Sequence, residues 1–262
     1  MLLRYGTVFR SCGEQMPKDI TVVIVDTASH TLAKFAIEQT LKAIPCKEVI
    51  TFSDRSIIDG AKFVPIRQQI NLYDYSEIVL KQLWPHVETE HVLIIQWDGM
   101  AVNTTMWTDE FLKYDYIGSI WPWPQQGINM GNGGFSLRSR RLVDACRDTE
   151  VKLGGFAGQN EDIAICVEHR KLLQDKYNIQ YAPQEVARQF AVENEWLGTK
   201  TFGFHGMWNI PRFLSETDIR YVIDNMPDRF WKDLSKVQPL LNILVEQGYN
   251  NIAQEVFIKV KG

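Results

Sequence analysis

The chain has 262 residues, of which 45% are hydrophobic and 23% are charged, and its formal net charge at pH 7 is −4. Such a composition is ordinary for a soluble globular protein, and the length suffices for one large domain or for a domain with an appendage. The slight acidic excess argues against a nucleic-acid-binding protein, which usually carries a basic excess or stripe.

The cysteines and the N-terminal residues bear on the cellular compartment. The cysteines are widely separated and form no CxxC pair, so the sequence predicts reduced thiols rather than a zinc site or a disulfide framework; they are Cys12, Cys46, Cys146 and Cys166. The N-terminal residues lack the apolar core of a secretory signal, and no apolar run approaches the roughly 20 residues that span a bilayer. We therefore expect a cytoplasmic protein, which could still contact the inner face of a membrane peripherally.

The N-terminal part of the chain predicts a parallel sheet. Short runs rich in β-branched residues alternate with segments whose apolar residues are spaced as on a helix. The predicted elements are, in chain order, strand 20–25, helix 32–44, strand 48–52, helix 75–84 and strand 92–95. A strand, a helix and a strand in this order imply a right-handed βαβ unit, and hence an α/β fold.

Polar residues follow each of these strands. Asp26 and Asp54 come after the first two, and Gln96 and Asp98 follow the third. Open α/β sheets bind ligands at the carboxyl ends of their strands, so we expect Asp26 and Asp54 to contact the base or ribose of a nucleotide. We expect Asp98, with Gln96 beside it, to help bind a metal and a diphosphate. Asp26 and Asp54 have an alternative role, because aspartate after a strand commonly supports a turn or a helix N-cap.

The most specific short motif is GNGGFSLR, residues 131–138. Three glycines in four positions permit positive φ angles and very close backbone approach. A P-loop is excluded, because no Lys-Ser/Thr follows the glycines and the GxGxxG spacing is absent. We expect the glycines, Gly133 among them, to pack under a ligand with Arg138 nearby as a fixed positive charge.

Two further segments have open interpretations. For residues 119–130 the sequence predicts a loop dense in Trp and Pro. Trp121 and Trp123 in this loop either cover the core or stack on a sugar ring. Residues 179–182 predict a further strand.

An acidic pair and a late histidine are the remaining candidates. Glu161 and Asp162 follow a flexible glycine-containing segment, so one carboxylate could enter the cleft as a general base. The alternative is a structural role, because acidic side chains in the first turn of a helix stabilise its N-terminus. His205 is either a structural histidine or the imidazole partner that a manganese-like metal at Asp98 requires.

The C-terminal residues differ in pattern from the α/β part of the chain. Residues 1–211 are predicted to form the α/β domain, and residues 212–262 a helical extension with no obvious chemistry. The extension packs on the domain or joins two copies of the chain as a homodimer.

A family resemblance adds to these predictions. The motifs QWDG, DYIGSIWPW, GNGGFSLRSR, NEDIAIC and FGFHG occur in this order. With them the chain resembles bacterial proteins that are regarded as sugar transferases and grouped mostly as a domain of unknown function, which are similar to glycosyltransferases of the GT-A fold. The resemblance covers roughly residues 20–210. It implies a GT-A-like fold, with a mixed, mainly parallel central sheet flanked by helices.

The resemblance also implies roles for single residues. Such enzymes bind a nucleotide-diphosphate sugar, here a UDP-sugar by default, through a DxD motif and a divalent metal, Mn²⁺ or Mg²⁺. Gln96 replaces the first aspartate of that motif, Asp98 matches the second, and His205 matches a late histidine that completes the metal shell. The pair Glu161–Asp162 matches the acids that supply the catalytic base of inverting members; Asp162 is preferred and Glu161 is the alternative.

The implied reaction moves the sugar to a hydroxyl of a glycan or of a lipid-linked glycan. Two other functions stay open. A sugar nucleotidyltransferase would normally show a basic, glycine-rich loop after the first strand, and this chain has none. A non-catalytic carbohydrate-binding protein on the same fold is compatible with the altered DxD motif.

Overall fold

The structure, a computed structural model, describes residues 18–68, 70–125, 128–156 and 158–261; only the backbone is described for residues 123–125, 128 and 129. The strands of this part are β1 (Lys18–Val25), β2 (Cys46–Ser53), β3 (Lys62–Pro65), β4 (His91–Ile95), β5 (Gly99–Ala101), β6 (Tyr116–Ile117), β7 (Ile120–Gln125), β8 (Ile128–Met130), β9 (Ser136–Ser139), β10 (Ala191–Val192) and β11 (Gly203–His205).

The α-helices of the same residues are α1 (His30–Ala43), α2 (Leu72–Glu77), α3 (Arg140–Ala145), α4 (Glu161–Ile163), α5 (Arg170–Tyr177), α6 (Gln184–Phe190), α7 (Ile210–Phe213), α8 (Glu216–Asn225), α9 (Asp228–Trp231), α10 (Leu234–Glu246) and α11 (Asn250–Lys261). Residues Ile78–Gln82 and Ala164–Glu168 continue α2 and α4 as π-helical turns.

A six-stranded sheet forms the centre of the molecule, in the order β3-β2-β1-β4-β9-β6. The first four strands are mutually parallel, and β9 runs antiparallel to both of its neighbours. Helices cover both faces, so β1, β4 and β9 are almost wholly buried. β1 and β4 accordingly contain apolar runs rather than alternating residues, whereas β9 carries Arg138 and two serines. The predicted fold class, a mixed and mainly parallel sheet flanked by helices, is confirmed.

Several short strands were missed, and one prediction was wrong. The Trp- and Pro-rich segment predicted as a loop contains the hairpin of β7 and β8. Proline removes a ladder donor and argues against a central strand, but an edge hairpin tolerates it. The strand predicted over residues 179–182 is reduced to a single bridge between Tyr181 and Tyr116.

A tight turn joins the large sheet to a small one. The backbone N–H of Gly99 donates to the carbonyl of Gln96 over 3.0 Å, and the N–H of Gln96 donates back over 2.9 Å. Trp97 and Asp98 therefore form the tip between β4 and β5. In the small sheet, β5 pairs antiparallel with β11 so that Gly99 lies opposite His205. The register of two short strands thus brings the tip residue Asp98 to His205.

The C-terminal helices pack on the α/β unit. The Ser215 hydroxyl accepts a hydrogen bond from the Asp218 N–H and begins α8, as the capping pattern of the sequence indicates. Tyr221 of α8 lies 5.3 Å from Phe35 of α1, ring to ring, and Phe230 of α9 lies 4.8 Å from Trp97. The apolar residues of these helices join those of the sheet in one buried cluster.

The boundary between residues 211 and 212 falls inside α7, and the division into two domains stays a prediction. The homodimer and the peripheral membrane contact also stay predictions. Within the described ranges, every helix is too short or too polar to cross a bilayer. Cys46, Cys146 and Cys166 are buried and free, whereas Cys12 lies outside the described residues.

The Trp97–Phe230 contact gives a stability prediction. Replacing Phe230 by alanine removes a half-buried ring, which we expect to lower the free energy of unfolding by about 1–2 kcal/mol. Phe257 of α11 is 48% exposed, so Phe257→Ala is the matched control and should cost less than about 0.5 kcal/mol. Urea denaturation of both variants measures the difference, and equal midpoints would show that the contact does not stabilise the fold.

Candidate active site

A cleft of about 340 Å³ lies beside the carboxyl end of β4. It is bounded by α2, the glycine loop of residues 131–134, the start of α4 and the ends of β10 and β11. The lining residues are Leu72, Tyr75, Gln96, Trp121, Asn132, Gly133, Gly134, Asn160, Glu161, Asp162, Ile163, Glu193, Asn194 and His205. The cleft therefore gathers the glycine motif, the acidic pair and the late histidine, whereas Asp98 does not line it.

His205 is fixed through both ring nitrogens. Its Nδ1 lies 2.9 Å from the Glu193 carboxylate, and its Nε2 lies 3.0 Å from the side-chain oxygen of Gln96. Asp98 approaches the same Nε2 to 3.8 Å. Burial alone would lower the pKa of His205, but Asp98, Glu193 and Asp162 outweigh it and raise the pKa to about 9. This raised pKa favours the protonated imidazole, which can donate to Glu193 from Nδ1 and to Gln96 from Nε2.

The glycines of the motif allow close packing by protein side chains. A Cβ on Gly134 would lie 2.1 Å from His205 Nε2, and one on Gly133 would lie 1.9 Å from a Glu161 oxygen. A Cβ on Gly131 would enter the ring of Trp121. The side chains of His205, Glu161 and Trp121 thus pack against these glycines. That a ligand also packs over the glycines stays a prediction.

The left-handed backbone of the loop is at Asn132, whose φ is 74°, rather than at the three glycines. The Asn132 side chain stabilises this turn, because its oxygen accepts the N–H groups of Gly134 and Phe135 over 2.9 and 3.2 Å. Asparagine tolerates this conformation through such local hydrogen bonds.

Asp162 faces the cleft from the first turn of α4. One of its oxygens accepts a hydrogen bond from the N–H of Gly133 over 3.2 Å. The other accepts one from the N–H of the next residue, Ile163, over 2.8 Å. Burial raises the pKa of the Asp162 carboxyl to about 7, and the charges of Glu161 and Glu193 add to the effect. A carboxyl with a pKa near the working pH is suited to proton transfer.

Glu161 has a different environment although it is the adjacent residue. Its carboxylate pairs with Arg138 over 3.0 Å, both side chains being almost fully buried, and it accepts the Ser76 hydroxyl over 3.2 Å. Arg138 also stacks over the ring of Tyr116. Arg138 consequently lies in the interior with its charge paired, and it does not line the cleft.

Asp26 and Asp54 lie at the same edge of the sheet as Gln96, because β1, β2 and β4 are parallel neighbours. Asp26 accepts the N–H groups of Ala28 and Ser29 over 2.9 and 2.7 Å, which forms the turn into α1. Asp54 is hydrogen bonded to His30 over 2.6 Å. Neither aspartate lines the cleft, and the turn-forming alternative describes Asp26 well. Contact with a nucleotide stays a prediction for both.

The atoms around His205 are of the kinds that a divalent cation binds. Imidazole nitrogen, carboxylate oxygen and amide oxygen from His205, Asp98 and Gln96 converge, and this donor set suits manganese-like metals. Glu193 on Nδ1 is the outer partner that metal-binding histidines usually have. In the described ranges no group of three or more His, Cys, Asp or Glu side chains is arranged as a metal site. A cation here would therefore need the Gln96 amide and oxygen atoms of a bound anion.

Sequence reasoning missed Glu193, Asn132 and Tyr75 as site residues. Glu193 had a usable signal, because it follows the apolar residues of β10 in the way that Asp26 follows β1. Asn132 stands inside the motif, but only the structure shows that its side chain forms the turn. Tyr75 gave no signal, since an aromatic residue at helical spacing ordinarily belongs to the core.

The sequence of the chain matches the model of a protein family. Its model covers residues 62–205, more than half of the chain, and its description is "Protein of unknown function (DUF5672)". The chain belongs to this family. The segment shared with the DUF5672 family runs from β3 to His205 and so contains the whole cleft lining, but neither Asp26 nor the C-terminal helices. The resemblance to a family of unknown function is confirmed.

No curated protein matches the chain. Among solved structures, it is similar to a mannosyltransferase from Pyrobaculum calidifontis in complex with GDP-Man and Mn²⁺, at 11% identity and a TM-score of 0.43. That match covers 66% of this chain and 58% of the mannosyltransferase.

Two other solved structures are similar at the same level. One is glucosyl-3-phosphoglycerate synthase from Mycobacterium tuberculosis with Mn²⁺, UDP and glucosyl-3-phosphoglycerate, at 14% identity and a TM-score of 0.42, covering 72% of this chain and 83% of that one. The other is the galactosyltransferase LgtC with donor and acceptor sugar analogs, at 11% identity and a TM-score of 0.43, covering 71% and 86%. These likenesses are distant, and the fold described above rests on the strand order of the chain itself.

The buried ion pair gives a second stability prediction. Glu161→Gln leaves the charge of Arg138 without its partner in the interior, which should cost about 3–5 kcal/mol. The double variant Arg138→Met/Glu161→Leu removes both charges and should recover a large part of that loss. Asp175→Asn breaks the exposed pair with Lys171 and is the control, with a cost below about 1 kcal/mol. A Glu161→Gln variant as stable as the parent in urea would contradict the structural role.

Proposed function

We propose that the chain is a glycosyltransferase that moves a sugar from a nucleotide-diphosphate sugar to a hydroxyl of a glycan or lipid-linked glycan acceptor. The observation that carries this proposal is the pairing, across one cleft, of a cation-binding group with a carboxyl suited to act as a base. Gln96, Asp98 and His205 form the first, and Asp162 is the second. The cleft volume of about 340 Å³ lies in the range of small-molecule sites.

The diphosphate binds on the side of His205. The fixed charges near the cleft are mostly negative. Among the described residues, the one buried guanidinium belongs to Arg138, and Glu161 neutralises it. A diphosphate would be repelled here without a counter-charge. A divalent cation bound by Asp98, His205 and Gln96 would supply that charge and stabilise the departing nucleoside diphosphate. Glu193 on Nδ1 would then hold the His205 ring so that Nε2 faces the cation.

Asp162 acts on the acceptor. It takes the proton from the acceptor hydroxyl as the oxygen attacks the anomeric carbon, and the bond from that carbon to the phosphate oxygen breaks with its electron pair. The hydrogen bond from the Gly133 N–H fixes the carboxylate for this task. Attack from the side opposite the leaving group inverts the anomeric configuration. Glu161 is the weaker candidate for the base, because both of its oxygens are already engaged by Arg138 and Ser76.

A ligand screen tests the donor site. A ligand that binds the folded state raises the thermal unfolding midpoint, so UDP-, GDP-, CMP- and dTDP-sugars are compared with and without Mn²⁺. We expect one nucleotide class to raise the midpoint, more strongly with the metal, and Asp98→Ala to remove the metal-dependent part. Since the metal must displace the Nε2 proton of His205, the apparent Mn²⁺ affinity should increase as pH rises toward about 9.

The control for this screen is Asp109→Ala, which removes an exposed carboxylate paired with Lys18. It should respond to the ligands as the parent protein does. No response of the parent to any nucleotide sugar would overturn the proposed function. Binding without hydrolysis or transfer would favour a non-catalytic carbohydrate-binding protein.

The base gives a kinetic prediction. Asp162→Asn should lower the transfer rate by about 10²–10⁴-fold while leaving nucleotide binding intact. In the parent protein, kcat/KM should fall as the pH drops through about 7, because the pKa of Asp162 is raised to that value and only the ionised carboxylate accepts a proton. Asp175→Asn on the surface is the matched control. Parent-like turnover by Asp162→Asn would exclude this residue as the base.

A further inference from the structure

The strand order of the large sheet points to a ligand position next to the cleft. From β1 the chain passes to β2 and β3 on one side, and it then returns to β4 on the other side of β1. The order thus reverses between β1 and β4, and open α/β sheets bind ligands outside the carboxyl ends of their strands at such a point. The register pairs Ile24 with Ile95. Asp26 and Trp97, two residues further on, therefore border this position, the β1–β4 edge.

Arg229 of the C-terminal helix α9 lies at the β1–β4 edge. Its guanidinium group donates a long hydrogen bond of 3.5 Å to the hydroxyl of Ser29, which follows β1, and its charge acts on Asp26. The same group lies over the ring of Phe230, 4.9 Å from the ring centre, and Phe230 packs against Trp97. Arg229 thus contacts the β1 side directly and the β4 side through one intervening ring.

The charge of Arg229 is accessible to an anion. The residue is exposed, and among the described residues its guanidinium forms no ion pair with a carboxylate. Asp26 is the negative charge beside it, and one oxygen of Asp26 is held by the N–H groups of Ala28 and Ser29. The first turn of α1, which begins here, contains no acidic residue, so the partial positive charge of the helix N-terminus adds to that of Arg229.

We infer that Arg229 binds the diphosphate of the nucleotide, so that the C-terminal helices form part of the donor site. This inference rests on the proposed function, in which a cation at Asp98 holds the diphosphate and the sugar lies beside Asp162. Trp97 and Asp98 form the tip of one turn, so a diphosphate that extends from Asp98 toward the β1–β4 edge lies next to Arg229. A planar guanidinium offers two parallel N–H donors to a phosphate.

The reaction itself calls for a second positive charge. The diphosphate gains one further negative charge when its oxygen keeps the electron pair of the bond to the anomeric carbon. A fixed positive group near that oxygen stabilises the leaving group as the charge develops. The cation at Asp98 supplies one such charge, and Arg229 supplies another from the opposite side of the turn.

Binding measurements on Arg229→Gln test the inference. The variant keeps much of the side chain and loses the charge, so the free protein should unfold at the parent's midpoint because the residue is exposed. Calorimetry in the presence of Mn²⁺ measures the affinities for UDP, GDP and dTDP. For the nucleotide that binds, we expect Arg229→Gln to lower the affinity by about 5- to 30-fold. Arg229→Lys keeps the charge and should lose less.

The control is Arg220→Gln. Arg220 is another arginine of the C-terminal helices, and Glu216 and Glu255 hold its guanidinium away from the β1–β4 edge. This variant loses the same charge from the same part of the chain and should bind the nucleotides as the parent does. An equal loss of affinity in Arg220→Gln would show a general effect of net charge and would overturn the inference.

The remaining outcomes separate the two claims. Parent-like affinity of Arg229→Gln would overturn the role of Arg229 and leave the proposed function standing. Arg229→Lys binding as weakly as Arg229→Gln would show that the charge is not what the nucleotide needs, and this too would overturn the inference alone. A parent protein that binds none of the three nucleotides would overturn the proposed function and this inference together.

Discussion

The site depends on direct contact between side chains and the backbone of Gly133 and Gly134. Because neither residue has a Cβ, the Glu161 carboxylate reaches one and the His205 ring lies over the other. Any larger residue would place an atom at 1.9 Å from the Glu161 carboxylate or 2.1 Å from the His205 ring. The spacing of the glycines thus fixes how far the acidic pair lies from the histidine, and hence the width of the cleft.

The same contact gives two adjacent acids different properties. Glu161 lies on Gly133 with its charge matched by Arg138, so it belongs to a buried pair that specifies the position of the loop. Asp162, the next residue, faces the cleft. Within the described ranges it has no cation partner and accepts only backbone N–H groups. Pairs of carboxyls whose environments drive their pKa values apart commonly divide catalytic from supporting roles. Here the paired carboxylate positions the wall from which the unpaired one projects.

The sequence predicted the parts that depend on local patterns. The strands β1, β2 and β4 are apolar runs with β-branched residues, and α1 has helical spacing up to Pro45, so their order already implied the parallel sheet. The strands β5, β10 and β11 have two or three residues each, and such lengths carry no periodicity. They exist because tertiary pairing completes them, and that pairing is what brings His205 to Asp98. The convergence of these two residues could be predicted from a family resemblance but not from spacing.

The roles of Arg138, Glu161 and Glu193 depended on burial, which residue type alone does not reveal. Arg138 in a glycine-rich motif indicates an exposed charge for an anion, yet its strand β9 is central in the sheet, and a central strand places its charge in the interior. A buried guanidinium requires a carboxylate partner, and Glu161 is the partner that Arg138 has. Once Glu161 is committed to that pair, it is a weaker candidate for the base, which supports Asp162.

The turn of residues 96–99 links this site to the C-terminal helices. Its two tip residues point to different neighbours, since Asp98 approaches His205 while Trp97 packs against Phe230. Residues 212–262 were predicted to carry no chemistry, and they lie outside the segment matched by the family model. Through Trp97, however, they contact the tip of the turn. A backbone shift at this tip would move Trp97 and Asp98 together, so the packing of α9 bears on the position of Asp98.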